Sequence, residues 1–338
     1  MDPVTQGLFG ALWAQAGSRK RDMRLALATG AAAGMAPDLD VLIRSPSDSL
    51  LAIEFHRHFT HALAFIPVGA LVVALILWPV MRRLGPEIKF ARVYLWSLLG
   101  VGSHGLLDAM TSYGTRLYWP FSEERAAWNI ISVIDPLFSV PLAVLLTIGV
   151  WRRNRLVVRI GAIWAIFYLA FGAVQQDRAE NIVYHWAEQS GIPVERALAK
   201  PGFANLILWR GLVDDGERFH AVAIRILPGR PTVVWPGSTV QHYRPDEAPT
   251  DSRLARDLDR FEHFSAGWTY RYFRNDTDDR AFIGDFRYAI DPAGQRPLWG
   301  VLYDADDPSA GVRFERTSAV SETERRAFFA RLRGENPP

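Results

Sequence analysis

From Leu63 to Met81 the chain reads LAFIPVGALVVALILWPVM, without a single charged side chain. At about 1.5 Å of rise per residue such a helix reaches roughly 28 Å, close to the thickness of the hydrocarbon core of a bilayer. It is a membrane span. Three further stretches, Val93 to Met110, Val133 to Trp151 and Ile160 to Gln176, are nearly as apolar. Val4 to Ala16 and Met23 to Met35 are shorter and rich in Ala and Gly. Small residues let helices approach closely in a membrane, so these two segments are expected to form a tight hairpin against the longer spans. Four to six membrane helices are therefore expected. Its opening, MDPVTQGLFGALWAQAG, lacks a basic region ahead of its apolar stretch and is not expected to be a cleaved signal peptide.

Lys and Arg cluster at Arg19 to Arg24, Arg82 to Arg92 and Arg152 to Arg159. If the short hairpin counts as two crossings, all three clusters fall on one face, which the positive-inside rule places in the cytoplasm. The opposite ends, and everything after the last span, are then expected on the periplasmic or outer side of a bacterial-type inner membrane. A formal net charge of +2 is too small to suggest a nucleic-acid partner. The expected partner is the lipid bilayer.

After about Gly191 the pattern changes to short strand-like runs between Gly, Pro and Asp turns: ANLILW from Ala204, FHAVAIRIL from Phe219, WTYRYF from Trp268, FIGDFRYAI from Phe282 and GVLYD from Gly300. An amphipathic helix is expected to carry Leu254, Leu258 and Phe261 on one face, and a last helix to start at Ser321 with a capping box completed by Glu324. The expected architecture is a multi-pass α-helical membrane domain over residues 1–190, followed by a soluble β-rich α+β domain with a C-terminal helix over residues 191–338.

Within the apolar half, ionisable groups recur: Asp38 and Asp40 in PDLD, His56, His58 and His61 in HRHFTH, His104 and Asp108 in SHGLLDAMTSYG, and Asp135 in IDPLF. Each charge at the bilayer centre costs about 2.5–3.5 kcal/mol on insertion scales, so such groups pair, line a wet cavity or bind ions. His104 and Asp108 stand four apart on a helix and share a face, which suits convergence on one ion and equally suits a hydrogen-bonded pair joining two helices. The two carboxylates of PDLD can supply oxygen ligands or cap a helix, and the neighbouring histidines favour ligation. His56 and His61 are the preferred imidazole ligands, with His58 either a third or an interfacial residue. Arg57 can clamp an anionic substrate through its planar donors or hold lipid headgroups. Thr111, Ser112 and Tyr113 can hydrogen-bond ligand carboxylates or substrate, or simply end the helix at Gly114. Asp135, just before Pro136, is an N-cap or a secondary ligand. His185, His220, His242 and His263 lack such company and read as ordinary polar residues. The chain has no cysteine, so any metal must use imidazole and carboxylate.

The motifs TQG, PDLD, HRHFTH, SHGLLDAMTSYGT and WPFS, in this order, resemble the YdjM-type family of membrane-bound metal-dependent hydrolases, also described as LexA-binding inner-membrane hydrolases. The resemblance covers about residues 1–150. It implies a helical core of the zinc-phospholipase-C type, with Asp38, Asp40, His56, His61, His104 and Asp108 as metal positions. Gln6 departs from it, since some relatives carry His near that place.

Three imidazoles and three carboxylates suit a divalent ion, with zinc first by resemblance and Mn or Fe as alternatives, singly or as a pair. The expected chemistry is metal-assisted hydrolysis of an amphiphilic phosphoester or lipid-like substrate, with Asp40 as a candidate proton acceptor and Arg57 on the phosphate. Two other classes remain: a non-enzymatic ion transporter or metal sensor, and a membrane anchor for a periplasmic interaction domain.

Overall fold

Asp2 caps the first helix, α1 (Pro3–Ala16), by accepting from the Thr5 amide at 3.0 Å, with Pro3 just inside the start where its missing N–H costs nothing. The basic turn leads into α2 (Met23–Met35). A Cβ built on Gly10 would lie 2.4 Å from the Gly30 carbonyl oxygen, and one on Gly30 would lie 2.5 Å from Ala14 Cβ, so the two helices touch backbone to backbone. This is the close hairpin expected from the sequence. A 3-10 turn carries PDLD (Ala36–Leu42), a short helix α3 (Leu51–Phe55) precedes HRHFTH, and α4 (Ile66–Leu84), α5 (Phe90–Ala109) and α6 (Pro136–Trp151) follow. α7 runs unbroken from Arg155 to Gln189. It extends well beyond the apolar stretch that signalled it.

The structure is a computed structural model and describes residues 1–244, 251–274, 280–317 and 320–337. Among the described residues three segments are long and apolar enough to cross a bilayer: Lys20–Leu42, Leu63–Leu84 and Arg155–Gln189, with Pro136–Trp151 apolar but shorter. α4, α6 and α7 turn large side chains outward, among them Ile76 at 68% exposure and Ile163 at 66%. Such faces belong in lipid. α5 lies against α1, α2 and α4 and buries its own polar residues. The three basic turns meet at one end of the bundle: Arg92 pairs with Asp22 at 2.6 Å, Arg21 with Glu87 at 3.2 Å, and Arg155 donates to the Ser18 carbonyl at 2.5 Å.

The chain packs as two compact units. The first takes residues 1–43, 55–174 and 203–205, and the second takes 44–54, 175–202 and 206–338. The second unit contains two four-stranded antiparallel meanders, β1 (Arg196–Pro201), β2 (Leu208–Asp214), β3 (Arg218–Arg225) and β4 (Val233–Gln241) in one sheet, and β5 (Thr269–Arg271), β6 (Ala281–Asp285), β7 (Trp299–Tyr303) and β8 (Arg313–Arg316) in the other. Leu212 faces Ala221 across the first sheet and Phe282 faces Leu302 across the second. Phe219, Trp268, Tyr270 and Phe286 pack together in the core of this unit. α8 (Arg253–Phe264) buries Leu254, Leu258 and Phe261, and α9 (Glu322–Arg333) carries the capping box between Ser321 and Glu324. The segment 44–54, which separates PDLD from HRHFTH, is held in this unit by Arg260, whose guanidinium reaches Glu54 at 2.7 Å and Asp48 at 2.9 Å.

Two expected strands are displaced. ANLILW does not begin a strand at Ala204, because Ala204 has φ +61°, a turn conformation, and β2 starts at Leu208. FIGDFRYAI is cut after Asp285, whose side chain accepts from the Arg287 amide at 3.0 Å and turns the backbone out of the ladder.

Candidate metal centre

α5 presents His104 and Asp108 one turn apart, both fully buried. The 3-10 turn after α2 supplies Asp38 and Asp40, and the 3-10 turn Phe59–His61 supplies His61. His61 reaches this place because Gly105 has no side chain: a Cβ there would stand 2.2 Å from the His61 carbonyl oxygen.

Four donor atoms converge. His61 Nε2 lies 3.5 Å from Asp38 Oδ1 and 3.3 Å from Asp108 Oδ2, His104 Nε2 lies 3.5 and 3.6 Å from the same two oxygens, and the two nitrogens are 2.8 Å apart. Four donors held about 2.0–2.2 Å from one tetrahedral ion stand about 3.3–3.6 Å from each other. Four of these five spacings fall at that value, and the fifth is shorter. Asp38, His61, His104 and Asp108 could thus hold a metal ion, and a second group, Asp38, Asp40 and His56, shares Asp38 with the first. Among the described residues no other such group forms.

Both buried imidazoles are gripped from behind. His104 Nδ1 meets the Gly34 carbonyl at 2.5 Å, while His61 Nδ1 lies 2.9 Å from Thr60 Oγ1 and 3.3 Å from Asp40 Oδ2. That is how metal-binding histidines are aimed, since a fixed partner at one ring nitrogen sets the tautomer and points the other at the ion. Two buried oxygens, Asp108 Oδ2 and Gln6 Oε1, make no hydrogen bond among the described residues. Burial alone would favour a neutral His61, but the carboxylates of Asp108, Asp38 and Asp40 outweigh it and hold the ring up at about 10. Without an ion the imidazolium offsets the carboxylates, and an ion held by His61 Nε2 must displace that proton.

Each candidate residue has a definite place. Asp40 meets four groups: its Oδ1 meets His56 Nδ1 at 2.9 Å, and its Oδ2 accepts from the Arg57 amide and Thr60 Oγ1, both at 2.9 Å, with His61 Nδ1 at 3.3 Å. His56 and Asp38 mark the more open edge, with side chains 24% and 15% exposed. Gln6 stands on α1 and donates to Asp108 Oδ1 at 2.8 Å, so the first helix touches the site through an amide. The Met1 amine pairs with the same oxygen. Arg57, expected to clamp substrate, is 3% exposed and sits behind Asp108, with Nε 2.9 Å from Asp108 Oδ2 and Nη1 donating to Thr111 Oγ1 at 2.8 Å. Its φ of +62° is the turn that folds it inward. Ser112 is buried after the helix end, and the Tyr113 ring lies under the Arg57 guanidinium at 4.9 Å.

His58 points away from the cluster and packs on Trp119. Burial, then the positive charges of Arg116 and Arg125, push it down to about 4, so it is neutral at physiological pH. Asp135 lies apart and caps α6, accepting from the Leu137 and Phe138 amides and from the Tyr168 hydroxyl at 2.8 Å. Sequence reasoning misses Thr60 and the Gly34 carbonyl. Thr60 stands inside HRHFTH, where three histidines give reason to suspect it, whereas a backbone carbonyl leaves no mark in a sequence.

The model of the YdjM inner membrane protein family matches residues 1–179. The uncharacterized protein YfhP of Bacillus subtilis (strain 168) is 29% identical over 120 residues, 36% of this chain and 35% of that protein. The inner membrane protein YbcI of Escherichia coli (strain K12) is 36% identical over 121 residues, 35% of this chain and 66% of its own length. The chain thus spans about a third of one relative and just under two thirds of the other. No solved structure matches. With residues 1–179 matched, more than half of its length, the chain belongs to the YdjM inner membrane protein family.

Proposed function

We propose that the helical half is a metal-dependent hydrolase acting on a phosphoester or lipid-like substrate at the membrane. The observation that carries this reading is the convergence of His61, His104, Asp38 and Asp108 at tetrahedral spacing, with both imidazoles fixed from behind. The donor set is nitrogen and oxygen, which suits zinc, with Mn or Fe as alternatives. A bound divalent ion supplies Lewis-acid polarisation of water and of the ester oxygen.

The residues then divide the work. Asp38 belongs to both groups and is the carboxylate able to serve two ions. Asp40, whose Oδ1 meets the partly exposed His56 ring, is the candidate proton acceptor carried over from the sequence. Arg57 holds Asp108 in place. The three basic turns sit at the cytoplasmic end under the positive-inside rule, which puts the metal cluster and the C-terminal unit on the periplasmic side.

A non-enzymatic metal-holding role, in a sensor or transporter, is favoured by one observation: His104 and Asp108 are 0% exposed and His61 is 2%. Turnover separates the two. Detergent-purified protein assayed on a panel of phosphoesters, with and without added Zn, Mn or Fe, is expected to hydrolyse at least one of them and to stop on chelation. A metal-loaded protein that hydrolyses none contradicts the enzyme and leaves the metal-holding role.

A further inference from the structure

The WPFS motif is not used by the metal cluster. It forms the tip of a hairpin between the end of α5 and the start of α6. The arms are closed at the base by a pair of backbone hydrogen bonds between Thr115 and Ala126, at 3.0 and 2.8 Å. The first arm is also bonded to the HRHFTH segment, Arg116 N to the Arg57 carbonyl and Leu63 N to the Leu117 carbonyl, both at 3.0 Å. Trp119 locks the two together by packing on His58 and Phe59. On this fixed platform Phe121 stands 89% exposed and Tyr118 41% exposed. Behind the tip, Arg125 donates to the carbonyl of His56, the most open residue of the metal cluster, at 3.0 Å, with Tyr113 beside it.

Aromatic side chains held rigidly in water gain nothing there, whereas Tyr and Trp are enriched at the headgroup level of membranes, where an apolar body and a polar tip are both satisfied. Glu123 and Glu124 on the same turn, with Glu123 paired to Arg116, argue against attraction to anionic lipid as the anchor. We infer that the 115–126 hairpin is an interfacial device, its Tyr118–Phe121 tip lying among the lipid headgroups while Arg125 receives the phosphate of a membrane-borne phosphoester at the open edge of the metal cluster. This rests on the hydrolase reading for the word substrate. It assigns the anion-binding role to Arg125, because Arg57 is enclosed behind Asp108.

The chain has no cysteine, so a single Phe121→Cys can carry an environment-sensitive fluorophore, with Ser309→Cys, an exposed position of the second unit, as the aqueous control. In vesicles of zwitterionic lipid the label at 121 is expected to be shielded from iodide and quenched by nitroxide placed near the headgroups, whatever the salt concentration. Iodide access equal to that at 309 overturns the interfacial placement. For Arg125, binding of a short-chain phosphonate lipid to the metal-loaded protein in detergent is measured by calorimetry. Arg125→Gln should weaken it at least tenfold with metal content unchanged, and unchanged affinity overturns the assignment. Inorganic phosphate bound as tightly as the phosphonate lipid would overturn the lipid-borne source. A native protein that binds the phosphonate but hydrolyses no phosphoester refutes the hydrolase reading alone.

Discussion

The two units bury charge in different ways. In the second, buried charges are settled locally: Arg210 donates to the carbonyls of Pro292, Gly294 and Phe286 at 2.7, 2.9 and 2.8 Å, and Asp285 pairs with Arg287 at 2.7 Å. Lys200 departs from this, its buried Nζ without a hydrogen-bond partner among the described residues and set above the Tyr288 ring. In the first unit the buried charges come from three separated motifs and aim at one point, with Asp108 Oδ2 ion-paired to Arg57 Nε at 2.9 Å and Gln6 Oε1 without a hydrogen bond among the described residues. Burial alone therefore does not mark a functional site. Convergence of imidazole and carboxylate donor atoms on one point does, because that spacing is what a coordinated ion requires.

The sharpest way to break this contrast is Gly105→Ala. The added methyl would meet the His61 carbonyl at 2.2 Å, a backbone atom that cannot swing aside, so α5 and the HRHFTH turn must part. Metal affinity should fall by two orders of magnitude or more while the helical circular dichroism persists. Metal bound with native affinity would mean that the His61 and His104 rings need not meet.

Next in size are two carboxylate variants. Asp38→Asn and Asp108→Asn should each lower metal occupancy and turnover together, at least tenfold, because the amide keeps the shape but not the charge that offsets a divalent ion. Melting in detergent should fall in both, and further in Asp108→Asn, since Asp38 contributes to holding His61 charged but has the more open carboxylate. Asp108→Asn leaves Arg57 buried opposite a neutral group, whereas Asp38 has no guanidinium partner among the described residues. If the His104–Asp108 pair only joins helices, the amide still accepts the bond and occupancy stays as it was.

The smallest effect concerns the second unit. Burial, and then the charges of Arg287 and Arg210, hold the Lys200 amine well below its ordinary range against the pull of Asp285. The amine therefore holds a proton less readily in the fold than in the unfolded chain, so stability falls as pH drops below about 10.4. Lys200→Met removes that dependence and should stabilise the unit by about 1–3 kcal/mol at neutral pH. Denaturation curves of the native protein and the variant should approach each other as pH rises towards about 10. Curves that stay parallel would show a charged Lys200 in the fold.

The helices and the candidate metal-holding residues are legible in the sequence for the same reason. Long apolar runs have few alternatives to a membrane, and charges inside them are too costly to be incidental, so Asp38, His61, His104 and Asp108 stand out from the residue pattern alone. What burial decides is not legible. Nothing in HRHFTH says that Arg57 folds inward to Asp108, or that Asp40 is taken by His56, Thr60 and an amide at once. The second unit is the harder text. β1 reads RALAKP, with Ala, Lys and Pro, and becomes a strand only through its pairing with β2, while β4 and β8 show no alternation that marks them as strands. That residues 44–54, set between two ligand motifs, belong to the β-rich unit is a fact of tertiary packing that no local pattern carries.

The central claim is that the convergent His–Asp cluster holds a divalent ion. Elemental analysis of the detergent-purified protein, before and after dialysis against Zn, Mn or Fe, tests it most directly. One or two transition-metal ions per chain are expected in the native protein, falling together in Asp38→Asn and His104→Ala and unchanged in Asp135→Asn, whose carboxylate caps a helix away from the cluster. A well-folded protein with no transition metal as purified, and none taken up on addition, would contradict the account.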